Sequence, residues 1–63
     1  MIEIVINDYN KISVVKSTCK PDELEYIKEE LIYSEDSKYI HATIDNLGPF
    51  LYHLSIMNEI RII

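Results

Sequence analysis

The chain has little cysteine, glycine and arginine. Cys19 is the only cysteine, which excludes an internal disulfide framework and a cysteine-rich zinc site. A single unpaired cysteine is typical of a reducing compartment. With 48% hydrophobic residues, one glycine and two prolines, the composition is that of a globular protein and not of a disordered one. We expect one domain over residues 1–63.

Targeting and membrane segments are also missing from the sequence. The N-terminal residues MIEIVINDYNK lack the basic region and the apolar core of a secretory signal peptide. No run approaches the roughly 18 apolar residues that a membrane-spanning helix needs. We therefore expect a cytoplasmic protein that does not bind membranes.

Positive charge is scarce, and negative charge is concentrated in one segment. The net charge is −5; residues 20–36 contain seven acidic and two basic residues, whereas the rest of the chain contains four of each. The whole net charge therefore lies on this segment. Arg61 is the only arginine. Direct nucleic-acid binding, which requires clustered basic residues, is not expected.

The short chain limits how much apolar surface it can bury. A domain of 63 residues buries only about 60% of the surface that its extended chain exposes. A large enclosed pocket is therefore not expected. Part of the apolar surface is expected to contact a partner or a second copy of the chain.

The apolar periodicity at the N-terminus predicts a β-hairpin. Ile2, Ile4 and Ile6 recur at a period of two, and β-branched side chains favour a strand. The pattern resumes over residues 12–16 after turn-forming residues at 7–11. Two strands joined by a five-residue loop are the expected structure.

A helix is predicted to follow the hairpin and to end near Tyr33. Pro21 suits the first helical position, and acidic residues in the first turn complement the positive end of the helix dipole. Leu24, Ile27 and Leu31 share one side of the helix and define its buried stripe. Like charges and poor helix formers over 34–37 end it.

Three further strands are predicted in the second half of the chain. Residues 39–44 form the first, and the turn residues 45–49 close it. Residues 50–56 place Phe50, Leu54 and two more apolar side chains on one face of a strand, with a helix over 49–57 as the alternative. Residues 59–63 form the last strand.

The expected fold is therefore α+β, a small antiparallel sheet in the order ββαβββ with one amphipathic helix packed on one face. One helix cannot cover five strands, so an apolar edge is expected to stay exposed unless it pairs with a second copy. The predicted dimer interface consists of Ile60, Ile62 and Ile63.

Residues with catalytic or metal-binding chemistry form no recognisable motif. His41 and His53 are twelve positions apart and lack the further ligands that zinc requires, so hydrogen-bonded histidines on the sheet surface are expected. Cys19 precedes the helix, but nothing in the sequence places a base beside it, and a small semi-buried residue is expected there. We predict no catalytic residue, no metal, no cofactor and no enzymatic activity.

The acidic helix carries the candidate binding site. Plotted on a helical wheel, its outer face places two tyrosines among carboxylates, opposite the apolar stripe. Lysines at the positions that would neutralise these carboxylates are missing, whereas an ordinary solvated face favours such pairs. Exposed aromatic residues surrounded by charge are typical of binding surfaces. The predicted partner-binding residues are Asp22, Glu25, Tyr26, Glu29, Glu30 and Tyr33.

These features predict a small interaction protein that binds a basic, or nucleic-acid-binding, surface of a target protein. Small acidic proteins rich in Ile, Asn, Lys and Tyr are frequent among bacteriophage inhibitors of host enzymes or defence systems, and an inhibitor or modulator of this type is the expected function by that association. The alternative is a homodimeric structural or accessory subunit in which the acidic helix provides only solubility.

Overall fold

Five strands and two helices make up the chain, in an order that differs from the predicted one. The computed structural model describes residues 1–63. The α+β class is confirmed, but the order is ββαββαβ, with a short 3₁₀ turn at Lys16–Thr18. The elements are β1 (Ile2–Asp8), β2 (Lys11–Val15), α1 (Pro21–Glu30), β3 (Ile32–Glu35), β4 (Tyr39–Thr43), α2 (Leu47–Met57) and β5 (Ile60–Ile62).

The strands form one mixed sheet in the order β3-β4-β2-β1-β5. Neighbouring strands are antiparallel except for β1 and β5, which are parallel. The prediction of a purely antiparallel sheet is therefore wrong at one edge. The reason is α2, which carries the chain from β4 to the far side of β1 and delivers β5 in the direction of β1.

The N-terminal hairpin is confirmed, with a tighter turn than predicted. Ile4 pairs with Val14 and Ile6 with Ile12, so their side chains lie on one face of the sheet. Pairing continues past a register shift to Asp8 and Lys11, which leaves two residues in the turn and not five. The shorter turn allows more backbone hydrogen bonds between β1 and β2 than a five-residue loop would. These bonds satisfy backbone groups that would otherwise be hydrated.

Both helices pack on the same face of the sheet. The core side chains from β1, β2 and β4 contact one buried residue of α1 and two of α2, and most of them have no exposed surface. Each such side chain contributes about 1.5–3 kcal/mol when fully buried. The core cluster consists of Ile2, Ile4, Ile12, Val14, Ile27, Ile40, Ala42, Ile44, Phe50 and Leu54.

The first helix ends three residues before the predicted end. Leu31 adopts an extended conformation, and its N–H still bonds the carbonyl of Ile27 at 3.1 Å. Ile32 and Tyr33 then pair with Thr43 and Ala42 of β4. These two residues favour strands, and the pairing partner that draws them out of the helix comes from later in the chain.

The predicted strand over 50–56 is wrong, and the alternative helix is confirmed. Phe50 and Leu54, one turn apart in α2, are the buried residues of this helix. Tyr52 and Ile56 stay exposed on its outer side, which explains why the apolar residues scatter around a helical wheel. Neither α1 nor α2 combines the length and the hydrophobicity needed to cross a membrane.

The first turn of α2 generates a stability prediction. Gly48 lies inside the helix with negative φ, and a Cβ built on it meets no atom within 4 Å outside its two chain neighbours and the helix backbone. Gly48→Ala should change the free energy of unfolding by less than about 1 kcal/mol, since the smaller backbone entropy loss of alanine in a helix is opposed by the contact of its Cβ with the ring of Pro49, the next residue. Urea denaturation followed by circular dichroism measures the change. A larger loss of stability would contradict the open surroundings of residue 48 in the first turn of α2.

Candidate functional site

Four carboxylates on the outside of α1 form the most charged surface of the protein. Asp22, Glu25, Glu29 and Glu30 are all exposed, and none of them takes part in an ion pair. Lys16 and Lys28 both bind Glu35 of β3, at 3.0 and 3.3 Å, and Lys20 at the start of α1 makes no ion pair with these carboxylates. We call the four residues the acidic surface. Their negative charge is uncompensated within the chain.

Glu23 belongs to the same helix but has a different role. It is buried, and its Oε1 accepts the N–H of Lys20 at 2.8 Å, which satisfies a backbone donor at the start of α1. The buried carboxylate therefore fixes where the helix begins. It is not available to a partner.

The two tyrosines of the predicted site are separated in the structure, so the prediction that they lie together on the outer helix face is wrong. Tyr26 is partly buried, and its ring stacks on Phe50 with centroids 5.9 Å apart and planes 9° apart. Tyr33 lies on β3, where the ammonium of Lys28 is 5.8 Å from its ring. The early end of α1 causes the separation.

Tyr26 forms one wall of a cleft between the two helices. This interhelical cleft has a volume of about 220 Å³ and runs between the last turns of α1 and the first turns of α2. Burial, together with the nearby carboxylate of Glu30, raises the pKa of the Tyr26 hydroxyl. The residues that line the cleft include Tyr26, Glu30, Asn46, Pro49, Phe50 and His53.

The sequence did not reveal this cleft, because half of it comes from α2. As a strand, residues 50–56 would place Phe50 and His53 on opposite faces of a sheet. On α2, Pro49 and His53 are one turn apart and share a face. Pro49 at the start of an apolar segment was the available signal for a helix there.

The sheet face opposite the helices carries a chain of polar side chains. Ser13 of β2 is only 6% exposed, and its Oγ accepts a hydrogen bond from Asn7 Nδ2 at 2.7 Å. The same Oγ lies 2.8 Å from Nδ1 of His41, and Nε2 of His41 lies 3.0 Å from Oδ2 of Asp36. The prediction of a hydrogen-bonded sheet histidine is confirmed for His41. It is wrong for His53, which is exposed on α2 and not on the sheet.

The contacts of Asp36 determine which atoms carry the protons in the hydrogen bonds from Ser13 through His41 to Asp36. Its Oδ1 accepts the backbone N–H groups of Lys38 and Tyr39 at 2.8 and 2.7 Å, and the hydrogen bond from His41 together with these two keeps the pKa of Asp36 far below its usual range. A permanent carboxylate at Oδ2 requires a proton on Nε2 of His41. In neutral His41, Nδ1 therefore accepts the hydroxyl proton of Ser13.

Hydrogen bonds connect Ser13, His41 and Asp36 in the same way as the serine, histidine and aspartate of a hydrolytic triad. The surroundings of Ser13 do not fit that chemistry. Ser13 lies in a strand that pairs on both sides, with Val5 of β1 and His41 of β4. Backbone N–H groups in such ladders are occupied, whereas acyl transfer needs free donors for the oxyanion. The chain of hydrogen bonds therefore satisfies polar groups on the open face and fixes the β3–β4 turn.

A shallow groove of about 450 Å³ lies beside His41 on the same face. It exists because Ser34 and Thr43 are small, whereas Lys11 and Ile32 at its margin are large. Both ring nitrogens of His41 are engaged by Ser13 and Asp36. The polar groups that the groove leaves free therefore include those of the exposed side chains of Lys11, Ser34 and Thr43, but not the ring of His41.

Cys19 has the surroundings of a structural residue. It is partly buried, and its Sγ lies 3.8 Å from the carbonyl oxygen of Val15. Burial raises the pKa of the thiol, with the hydrogen bond from Thr18 opposing the shift. A raised pKa lowers the thiolate fraction, which is the reverse of what a nucleophilic cysteine requires.

The C-terminal edge of the sheet is apolar and unpaired. Ile60 is partly buried, whereas Ile62 and Ile63 are 51% and 53% exposed. Hydrogen bonds from Ile2 N–H to Glu59 O and from Ile63 N–H to Ile4 O show which residues face β1. By alternation, the backbone groups of Ile60 and Ile62 point away from the sheet and remain free.

No protein-family model, curated protein or solved structure matches this chain. The acidic surface, the interhelical cleft and the β5 edge are therefore assigned from contacts, burial and charge alone.

The His41–Asp36 pair predicts a pH-dependent contribution to stability. Asp36→Asn keeps an oxygen for the amides of Lys38 and Tyr39 but removes the charge that faces His41. Because folding lowers the pKa of Asp36, its charge stabilises the fold above about pH 4, the ordinary aspartate range, and this contribution is lost as the pH falls through the lowered pKa. The variant should be less stable than the wild type at neutral pH.

The stability difference between Asp36→Asn and the wild type should shrink as the pH falls below the ordinary aspartate range. Urea denaturation at a series of pH values measures it. A difference that stayed constant from neutral to acid pH would show that the charge of Asp36 does not stabilise the fold.

Proposed function

We propose that this protein is a small non-enzymatic interaction protein, which binds a basic surface of a target protein through the acidic surface of α1. The observation that carries the proposal is the set of four exposed carboxylates without an ionic partner. Like charges on one helix repel each other. A complementary cationic surface removes that repulsion and accelerates association by electrostatic steering.

The effect on the target is inhibition or modulation. Where the target's basic surface normally holds nucleic acid, the carboxylates take the positions of phosphates and compete for them. A net charge of −5 is modest, so the protein acts by a charged docking helix and not by mimicry of a whole duplex. This is the role of a bacteriophage-type inhibitor of host enzymes or defence systems, which the composition suggests by association, and in it the protein binds its target in the cytoplasm without contacting nucleic acid or a membrane.

The acidic surface is tested by charge reversal. Glu25→Lys with Glu29→Lys changes two exposed carboxylates one turn apart on α1. Asp8→Lys with Glu59→Lys is the matched control, because it changes the net charge equally at two exposed acids outside the helix. Once the target has been identified by affinity capture and mass spectrometry, the helix variant should bind it at least about tenfold more weakly, since each lost charged contact costs on the order of 1 kcal/mol.

Circular dichroism of both charge-reversal variants establishes that they fold. Salt should weaken wild-type binding and have less effect on the helix variant. Equal affinities for the helix variant and the control would exclude the acidic surface as the docking site.

A second candidate function, a homodimeric structural or accessory subunit, is favoured by the β5 edge. Ile62 and Ile63 expose more than half of their side-chain surface there, and the outward backbone groups of Ile60 and Ile62 are unpaired. Pairing of two β5 strands across a two-fold axis would join the sheets and cover the isoleucines. In this function the acidic surface provides solubility.

The β5 edge is tested with proline substitutions. Ile62→Pro removes an outward N–H and leaves the β1–β5 ladder intact, because Ile2, Ile4, Glu59 and Ile63 supply the hydrogen bonds toward β1. Sedimentation velocity should show a wild-type dimer and an Ile62→Pro monomer with unchanged circular dichroism. Wild-type protein that is monomeric at all accessible concentrations would exclude this dimer.

A further inference from the structure

We infer that the interhelical cleft binds the guanidinium side chain of an arginine on the target protein. The inference rests on the proposed function and deepens it, because it names the side chain that anchors the target. Glu30 belongs both to the acidic surface and to the cleft. The docking surface therefore continues into a depression that can hold one long cationic side chain.

The walls of the cleft have a shape that suits a flat, extended side chain. Tyr26 and Glu30 are one turn apart on α1, and Pro49 and His53 are one turn apart on α2, so two rows of side chains face each other. Phe50 lies at the base, where it stacks on Tyr26 with an interplanar angle of 9°. Phe50 covers part of one face of the Tyr26 ring, so the guanidinium stacks on the part that Phe50 leaves open, with its aliphatic stem toward Pro49.

The charge at the rim of the cleft selects a cation. Glu30 has no ionic partner, and its carboxylate lies close enough to affect the Tyr26 hydroxyl. The Asn46 side chain makes no capping hydrogen bond to α2, so its carbonyl oxygen is free to accept one. An adjoining depression of about 250 Å³ shares Glu30 and adds Asp45. No lysine or arginine lines either depression.

Arginine fits this arrangement better than lysine does. A guanidinium stacks on an aromatic face and donates two parallel hydrogen bonds to one carboxylate, whereas an ammonium is a compact and strongly hydrated charge. Tyr26 offers the aromatic face and Glu30 the carboxylate on the same side of α1. An aromatic ring, a carboxylate and a free carbonyl oxygen thus come from residues that line the same cleft.

The test uses the full chain and two small probes of equal shape. N-acetylarginine amide and N-acetylcitrulline amide differ in charge but hardly in size, and each is titrated into labelled protein at neutral pH while NMR chemical shifts are recorded. The arginine probe should give saturable shifts at Tyr26, Glu30 and His53. The citrulline probe should bind about tenfold more weakly, because it cannot form the charge-assisted hydrogen bonds to Glu30.

Two protein variants localise the effect of the probe. Glu30→Gln should lower the affinity for the arginine probe to that for the citrulline probe. Glu25→Gln is the matched control, since it removes a carboxylate of the same helix that does not line the cleft, and it should leave the affinity within about twofold of the wild type.

Three results would overturn the inference: equal affinities for the two probes, equal losses in the Glu30→Gln and Glu25→Gln variants, or shifts confined to residues outside the cleft. These results are separable from a failure of the proposed function. If the target binds through Glu25 and Glu29 but the arginine probe does not bind in the cleft, the acidic surface stands as the docking site and the arginine anchor is excluded. If the arginine probe binds in the cleft but charge reversal leaves target binding unchanged, the cleft stands as an arginine site and the acidic surface is excluded as the docking site.

Discussion

Burial of a single sheet face is the constraint on which the rest of this structure depends. A chain of 63 residues has enough material for one apolar layer, and that layer is formed by side chains such as Ile2, Ile4, Ile12 and Val14, which have almost no exposed surface. Both helices must cover this face, because neither is large enough to cover it alone. The opposite face has no covering helix and is open to water. Ser13 on that face is itself buried, so its hydroxyl requires hydrogen-bond partners. Asn7 and His41 provide them.

The same constraint shapes the surfaces available to a partner. Because α1 and α2 lie side by side on one face, a cleft forms between them with Phe50 at its base. The apolar side of α1 is used against the sheet, so Asp22, Glu25, Glu29 and Glu30 face outward without cations of their own. After α2 the chain forms β5 at the edge of the sheet beside β1. This edge strand has free backbone groups and two exposed isoleucines. The proposed docking surface and the proposed dimer edge are thus consequences of where the core lies.

Local periodicity was sufficient to predict the hairpin, the strand that became β4, the last strand and the side of α1 that packs on the core, although of the predicted stripe only Ile27 is fully buried and Leu31 lies beyond the end of the helix. It failed where the outcome depends on distant partners. Tyr33 belongs to β3 because Ala42 pairs with it, and no pattern near Tyr33 shows that partner. The segment 50–56 forms a helix and not the predicted strand. The sequence concealed the helix because the apolar residues Tyr52 and Ile56 lie on its exposed outer side. The hydrogen bonds from Ser13 through His41 to Asp36 depend on sheet register. The one local signal for them was a serine within the apolar run Ile12–Val15.

Site-specific photo-crosslinking in the native cells tests the central claim most directly. The photoreactive residue p-benzoylphenylalanine replaces Glu29 on the acidic surface in one variant and Ser34 on the open sheet face in another, and both positions are exposed. After irradiation, a covalent adduct with one target protein is expected from position 29, with little or none from position 34. An adduct that forms from position 34 and not from position 29 would place the target on the open face and contradict the assignment of the acidic surface.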